Sequence, residues 1–124
     1  MLMKLLLVDD DAFLRDMYAT KFNQKGHTVE VAESGVAGLR ALEKDNTFEI
    51  ILLDMVMPGM NGIDFIKKVK DTYPDSNMKF IVLSNQGQRE DIEAAESIGV
   101  AGYIVKAESI PSEVVSKVEE LYQS

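Results

Sequence analysis

An apolar run, Ile50-Ile51-Leu52-Leu53, stops abruptly at a carboxylate, Asp54. The residues that follow, up to Gly62, include Pro58 and Gly59 and read as a turn. A short unbroken apolar run between turn signals suits a strand buried on both faces, because a strand with one wet face would alternate. Strands of that kind build parallel sheets covered by helices. In open parallel sheets, ligands bind outside the carboxyl ends of the strands. Asp54 therefore marks a candidate site, and the question is which other residues converge on it.

The same pattern recurs along the chain. Leu5-Leu6-Leu7-Val8 ends in Asp9-Asp10-Asp11. Phe80-Ile81-Val82-Leu83 ends at Ser84, and Gly102-Tyr103-Ile104-Val105 ends at Lys106. Thr28-Val29-Glu30-Val31 alternates and is β-branched, so it reads as a more exposed strand. Between these runs the spacing changes to three and four, which predicts helices. Phe13, Leu14, Met17, Tyr18 and Phe22 form the stripe of a first helix over 12–25, ended by Gly26. Ser34 caps a second, with Val36, Leu39 and Leu42 as its apolar positions and Asn46 at its end. Asn61 or Gly62 starts a third, with Ile63, Phe65, Ile66, Val69 and Tyr73, stopped by Pro74. A polar loop from Asn85 to Arg89 leads to a weakly apolar fourth, with Ile92, Ala95 and Ile98, closed by Gly99. Pro111 opens the last, whose stripe is Val114, Val115, Val118, Leu121 and Tyr122. Five strands alternating with five helices predict an α/β chain: a doubly wound, parallel, five-stranded sheet covered on both faces. With 124 residues, 46% of them hydrophobic, the chain suits one domain with a real core, 1–124.

Charge and composition narrow the function. Thirteen Lys and Arg against 21 Asp and Glu give −8, which argues against direct nucleic-acid binding. There is no Cys, so thiol catalysis and thiolate metal sites are excluded, and the single histidine, His27, excludes a multi-histidine zinc cluster. His27 reads as marking a turn between helix and strand. The apolar start, Leu2 to Val8, is too short for a signal peptide or a membrane span, so the reading is a cytoplasmic protein with no membrane insertion.

In a parallel sheet the ends of the four apolar strands lie on one edge, which gathers Asp9, Asp10, Asp54, Ser84 and Lys106. If the strand order reverses between the first and third strands, the acids flank the crevice there. Three carboxylates repel one another unless a cation or protons intervene. Oxygen-only ligands favour a hard ion, Mg²⁺. Acids, a metal, a lysine and a hydroxyl around one carboxylate make sense if that carboxylate accepts a phosphoryl group. Lys106 and the metal would neutralise the transferring oxygens, and Ser84 would bind one of them. Asp11 is read instead as the cap of the first helix. Lys67, Lys68, Lys70, Glu93 and Glu96 read as solvated helix faces, and Met55, Met57 and Met60 as a soft cluster packing the turn.

Together these residues resemble the receiver domain of two-component response regulators, over the whole chain. Val8-Asp9-Asp10-Asp11, the stretch from Asp54 to Gly62, Ser84 and Lys106 match the family's acid pair, phosphoacceptor loop, switch hydroxyl and lysine. The resemblance implies a flavodoxin-like sheet of order 2-1-3-4-5. It implies phosphorylation of Asp54 by a histidine kinase or phosphotransfer protein, Mg²⁺ held by Asp10, Asp54 and the Val56 carbonyl with Asp9 acting through water, and Tyr103 as an aromatic switch residue. It implies a signalling switch that is not an enzyme beyond its own phosphorylation and dephosphorylation. Output passes through a partner protein, from a monomer or a phosphorylation-dependent dimer.

Two positions depart from the pattern. Asn85 follows the switch hydroxyl where a small residue is common. Ala107 follows Lys106 where proline is usual. That proline normally supports a cis peptide; before Ala107 the cis form costs roughly 2.5–4 kcal/mol. We expect cis even so, since Lys106 must reach the phosphoryl group from the same strand end. Val56 and Gln86, two residues beyond Asp54 and Ser84, are expected to govern the water that removes the phosphoryl group.

Competing classes fare worse on the residues. A flavodoxin-like cofactor carrier needs a phosphate cradle after the first strand, where three aspartates would repel one. An aspartyl-phosphate hydrolase resembling the haloacid-dehalogenase-like enzymes needs an Asp at Val56. A pseudo-receiver that only binds partners has no use for the intact acid set.

Overall fold

The computed structural model describes residues 1–85 and 87–124. Gln86 lies outside them. Its elements are β1 (Lys4–Val8), α1 (Ala12–Gln24), β2 (Thr28–Ala32), α2 (Gly35–Lys44), β3 (Ile50–Leu53), α3 (Gly62–Thr72), β4 (Lys79–Ser84), α4 (Arg89–Ser97), β5 (Gly102–Val105), a 3₁₀ turn (Lys106–Glu108) and α5 (Pro111–Gln123). The strands form one parallel sheet in the order β2-β1-β3-β4-β5. The order reverses between β1 and β3.

The alternation of side chains along each strand sorts the core into two layers. Leu5, Leu7, Ile50, Leu52, Ile81, Leu83 and Ile104 face α1 and α5, meeting Tyr18, Phe22, Val114, Val115 and Val118. Leu6, Val8, Ile51, Leu53 and Phe80 face the other way, onto Leu42 of α2 and Phe65, Ile66 and Val69 of α3. Met55, Val82 and Ala95 continue this layer under α4. Burial on both faces is why the three central strands carry only apolar residues between the lysines that open β1 and β4 and the polar residues at their carboxyl ends.

Local signals set the helix boundaries. Asp11 accepts the Leu14 N–H, Ser34 the Ala37 N–H and Asn61 the Asp64 N–H, so each fills a donor that the first turn leaves open. Gly26 closes α1 at φ 90°, a conformation that any side chain would strain.

Some positions differ from expectation. Phe13 is 75% exposed; the buried stripe of α1 runs through Tyr18 and Phe22 instead. Val36 is also exposed, and α2 packs largely through glycine. A Cβ on Gly38 would stand 2.9 Å from the Phe65 ring and 3.3 Å from Val8, so the missing side chain lets the helix approach. Lys70 is not simply solvated: its ammonium donates to the Ile98 carbonyl at the end of α4 and sits 5.8 Å from the Phe80 ring centroid. His27 does more than mark a turn. It is buried, its Nδ1 accepts the Met3 N–H at 3.1 Å, and its Nε2 pairs with Glu119 of α5 at 2.7 Å. At the same pole, Lys79 donates to the carbonyls of Leu121, Tyr122 and Ser124, and the Tyr122 hydroxyl bonds Glu49.

Candidate functional site

The sheet register brings the site residues together. Val8 lies beside Leu53, so Asp9 and Asp54 are the next residues on adjacent strands. The Asp54 N–H still bonds the Val8 carbonyl at 3.1 Å, extending the ladder by one step. Ser84 is the last residue of β4 and pairs with Val105, which puts Lys106 one step further along β5. Thus Asp9, Asp54, Ser84 and Lys106 lie at one edge and are buried.

Lys106 organises the charges. Its Nζ stands 2.8 Å from Asp9 Oδ2 and 3.0 Å from Asp54 Oδ2. Asp9 is 1% exposed and Asp54 8%. Burial pushes the lysine ammonium towards losing its proton, but the hydrogen bonds and negative charges of Asp9 and Asp54 outweigh that and raise it above the ordinary lysine value. It therefore stays charged at neutral pH.

The 3₁₀ turn that starts at Lys106 aims this ammonium through a trans peptide bond. The Lys106–Ala107 bond is not cis, nor is any bond among the described residues. The expectation of cis is thereby corrected. The turn alone brings Nζ to both carboxylates, so the costlier isomer has no task here.

Asp10 is exposed, yet carboxylate oxygens of Asp9, Asp10 and Asp54 all lie within 4.8 Å of one another. Three carboxylates and one ammonium leave a formal charge of −2, the complement of one divalent cation. With only oxygen donors in the set, the residues fit Mg²⁺. The remaining Asp54 oxygen, Oδ1, accepts the Val56 N–H at 3.2 Å. The Val56 side chain is 57% exposed beside it.

On the other side of Asp54, Ser84 lies close enough to Tyr103 for its hydroxyl to act on the phenol. Partial burial first, and then the charge of Asp91, raise the Tyr103 phenol, while the neighbouring Ser84 hydroxyl opposes that rise. Asn85, the departure after Ser84, is exposed.

The loop between Asp54 and α3 is packed, as expected for the methionines: Met55 and Met57 are buried and Met60 lies against Gly35. Gly62 is held against this loop, with its N–H on the Met55 carbonyl at 2.9 Å. A separate cleft of about 630 Å³ lies at the opposite pole, between 46–49 and 72–79, far from the converging charges.

Two neighbours escaped the sequence reading. Arg15 donates to the Asp9 carbonyl, and Tyr18, buried on the same side of α1, feels the charges of Lys106 and Asp9. Arg15 follows the acid pair within the first turns of a helix, which is the one local sign that it could fold back.

Among the described residues, no helix is long and apolar enough to cross a membrane. Residues 5–119 match the family model described as the response regulator receiver domain. The chemotaxis protein CheY of Thermotoga maritima is 37% identical over 120 residues, covering 95% of this chain and 96% of that protein. A chemotaxis protein CheY homolog of Campylobacter jejuni is 34% identical over 105 residues, 84% of this chain and 81% of its own length. Among solved structures, chemotaxis protein CheY4 of Vibrio cholerae superposes with a TM-score of 0.88 at 26% identity, covering 98% of this chain and 99% of that one. The chain belongs to the family of response regulator receiver domains.

Proposed function

We propose that this chain is a phosphorylation switch that takes a phosphoryl group onto Asp54 from a histidine kinase or phosphotransfer protein and signals through a protein partner. The observation that carries the reading is the buried Asp54 carboxylate, 3.0 Å from the Lys106 ammonium and grouped with Asp9 and Asp10. A carboxylate oxygen of Asp54 attacks the phosphorus. The donor's bond to phosphorus breaks, and its electron pair leaves with the donor. Lys106 holds the Asp54 carboxylate in place and offers its ammonium to the incoming oxygens. Asp10, Asp54 and the Val56 carbonyl, with Asp9 through water, would hold Mg²⁺, which would supply positive charge against the same oxygens. Incubation with Mg²⁺ and acetyl phosphate should add one phosphoryl group, read by intact mass, that alkali and hydroxylamine remove. No mass gain, or a gain stable to hydroxylamine, would count against an acyl phosphate.

The signal leaves through Ser84 and Tyr103. A phosphoryl oxygen offers the Ser84 hydroxyl a charged acceptor, and charge-assisted hydrogen bonds are about twice as strong as neutral ones. Ser84 therefore turns from Tyr103, and the ring shifts between two existing positions. The responding face spans 88–122. Beryllium fluoride, as a phosphoryl mimic, should move amide resonances across α4, β5 and α5. Changes confined to the pocket would contradict the switch.

Decay depends on a water in line with the new bond. Val56 places methyl groups on its approach and offers no hydrogen bond. Val56→Asn should speed phosphate loss by about tenfold, equal to roughly 1.4 kcal/mol of barrier, measured as phosphate released after the donor is removed. A change below about twofold would place control of the water elsewhere. Gln86 is the second residue assigned to that water.

A further inference from the structure

Asp9 is tied down at every polar atom. Its N–H donates to the Ala32 carbonyl at 3.1 Å. Its Oδ1 accepts the Asp11 N–H at 3.0 Å, and its Oδ2 accepts from Lys106. Its carbonyl oxygen accepts from the guanidinium Nη1 of Arg15 at 2.9 Å. This last bond has no part in the phosphoryl transfer described above. It runs backwards from α1 to the strand end that α1 follows.

The Asp9 carbonyl and the Asp10 N–H belong to one planar peptide unit. Holding the oxygen therefore fixes the rotation on both sides of that unit, and with it the direction in which the Asp10 side chain leaves the backbone. Asp10 is the exposed acid of the three and lies beyond the end of β1. Its aim depends on its own peptide more than that of Asp9 or Asp54, which sit in the ladder.

We propose that Arg15 is a positioning residue for the acid pair: its clamp on the Asp9 carbonyl aims the Asp10 carboxylate into the cluster with Asp9 and Asp54 and so sets that cluster's affinity for a divalent cation. The inference rests on the reading of these acids as the Mg²⁺ site. Arg15 exerts two effects of opposite sign. Its charge disfavours a second cation nearby, whereas its clamp favours one by holding a ligand ready. The sign of a substitution therefore shows which effect governs.

The test is calorimetric titration of the metal-free chain with Mg²⁺, with unfolding midpoints recorded alongside. Arg15→Met should weaken Mg²⁺ binding by about tenfold, the scale on which outer supports of metal ligands act. Arg15→Lys, which keeps the charge and can reach a carbonyl, should recover most of that loss. Unchanged or tighter binding by Arg15→Met overturns the proposal, since charge alone then governs. Equal loss in both variants overturns it too, because the effect would not follow the hydrogen bond. A wild-type chain that binds no Mg²⁺ overturns the metal reading and this inference with it; wild-type binding with an unaffected Arg15→Met overturns the inference alone.

Discussion

Asp54→Asn should reduce phosphoryl uptake from acetyl phosphate to background, a loss of more than about a hundredfold, while leaving the chain folded. The amide matches the carboxylate in shape but cannot act as the nucleophile, and among the described residues the ion pairs of Lys106 are with Asp54 and Asp9. Asp9 is closer to Lys106, but it is 1% exposed and both of its oxygens are already bonded. The folded state survives because two effects oppose each other. At an effective dielectric of about 20, an ion pair 3.0 Å apart attracts by roughly 5.5 kcal/mol, and two like charges 4.8 Å apart repel by roughly 3.5 kcal/mol. The substitution weakens one attraction and removes two repulsions of comparable size. Intact mass after incubation with Mg²⁺ and acetyl phosphate reads the first outcome, and thermal unfolding the second. Undiminished labelling would remove Asp54 from the site.

The second large effect is expected from a residue with no side chain. Gly62 opens α3, and a Cβ there would stand 2.7 Å from the Asp54 carbonyl oxygen and 2.9 Å from the Met55 Cα. Both neighbours are backbone, so no rotamer change relieves the contact. Gly62→Ala must push the start of α3 away from the end of β3 and break the bond from its N–H to Met55. Overpacking of this kind costs roughly 1–3 kcal/mol, a fall in melting temperature on the order of 10 °C. It should also slow phosphorylation, because the displaced peptide carries Asp54. Gly59→Ala is the control. Its φ of 83° makes the change strained, but nothing lies within 4 Å of the added carbon. It should cost only about 1–2 kcal/mol and leave the phosphorylation rate near wild type. Equal rates in both variants would refute the link between α3 and Asp54.

Much of this was legible because it is encoded locally. The apolar runs specify central strands, and the polar residue after each run specifies the edge where they meet. Asp11, Ser34 and Asn61 cap within three residues of themselves, so their roles can be read from neighbours alone. Phe13 shows the limit of periodicity. Its spacing from Met17 suits the stripe, but the face that α1 buries is centred on Tyr18 and Phe22 and leaves Phe13 exposed. Val36 fails for a related reason: α2 is seated by the absence of side chains at Gly35 and Gly38, and hydrophobic patterning does not register an absence. The pairing of His27 with Glu119 spans 92 positions, and Lys70 reaches Ile98 across 28. No local rule predicts either. The trans bond at Lys106 is a third case, because a resemblance supplied the cis expectation and the geometry of one turn decided against it.

The unequal attachment of α5 has a mechanical consequence. At the pole away from Asp54 it is fastened by Lys79 on its last carbonyls, by Tyr122 on Glu49 and by Glu119 on His27. At the other pole it follows Lys106 through one short turn, with Ile110 exposed. The far end is bound by polar bonds, whereas the near end is held by the apolar packing of Val114 and Val115, so a tilt of the helix would pivot at the far end. Thirteen residues at about 1.5 Å each make a lever of roughly 20 Å. A displacement of about 1 Å at Pro111 then tilts the helix by roughly 3°, with travel fading to nothing near Leu121. Movement that begins beside Asp54, as the proposed switch requires, would be delivered as a change of angle, largest at the end of α5 nearest that residue.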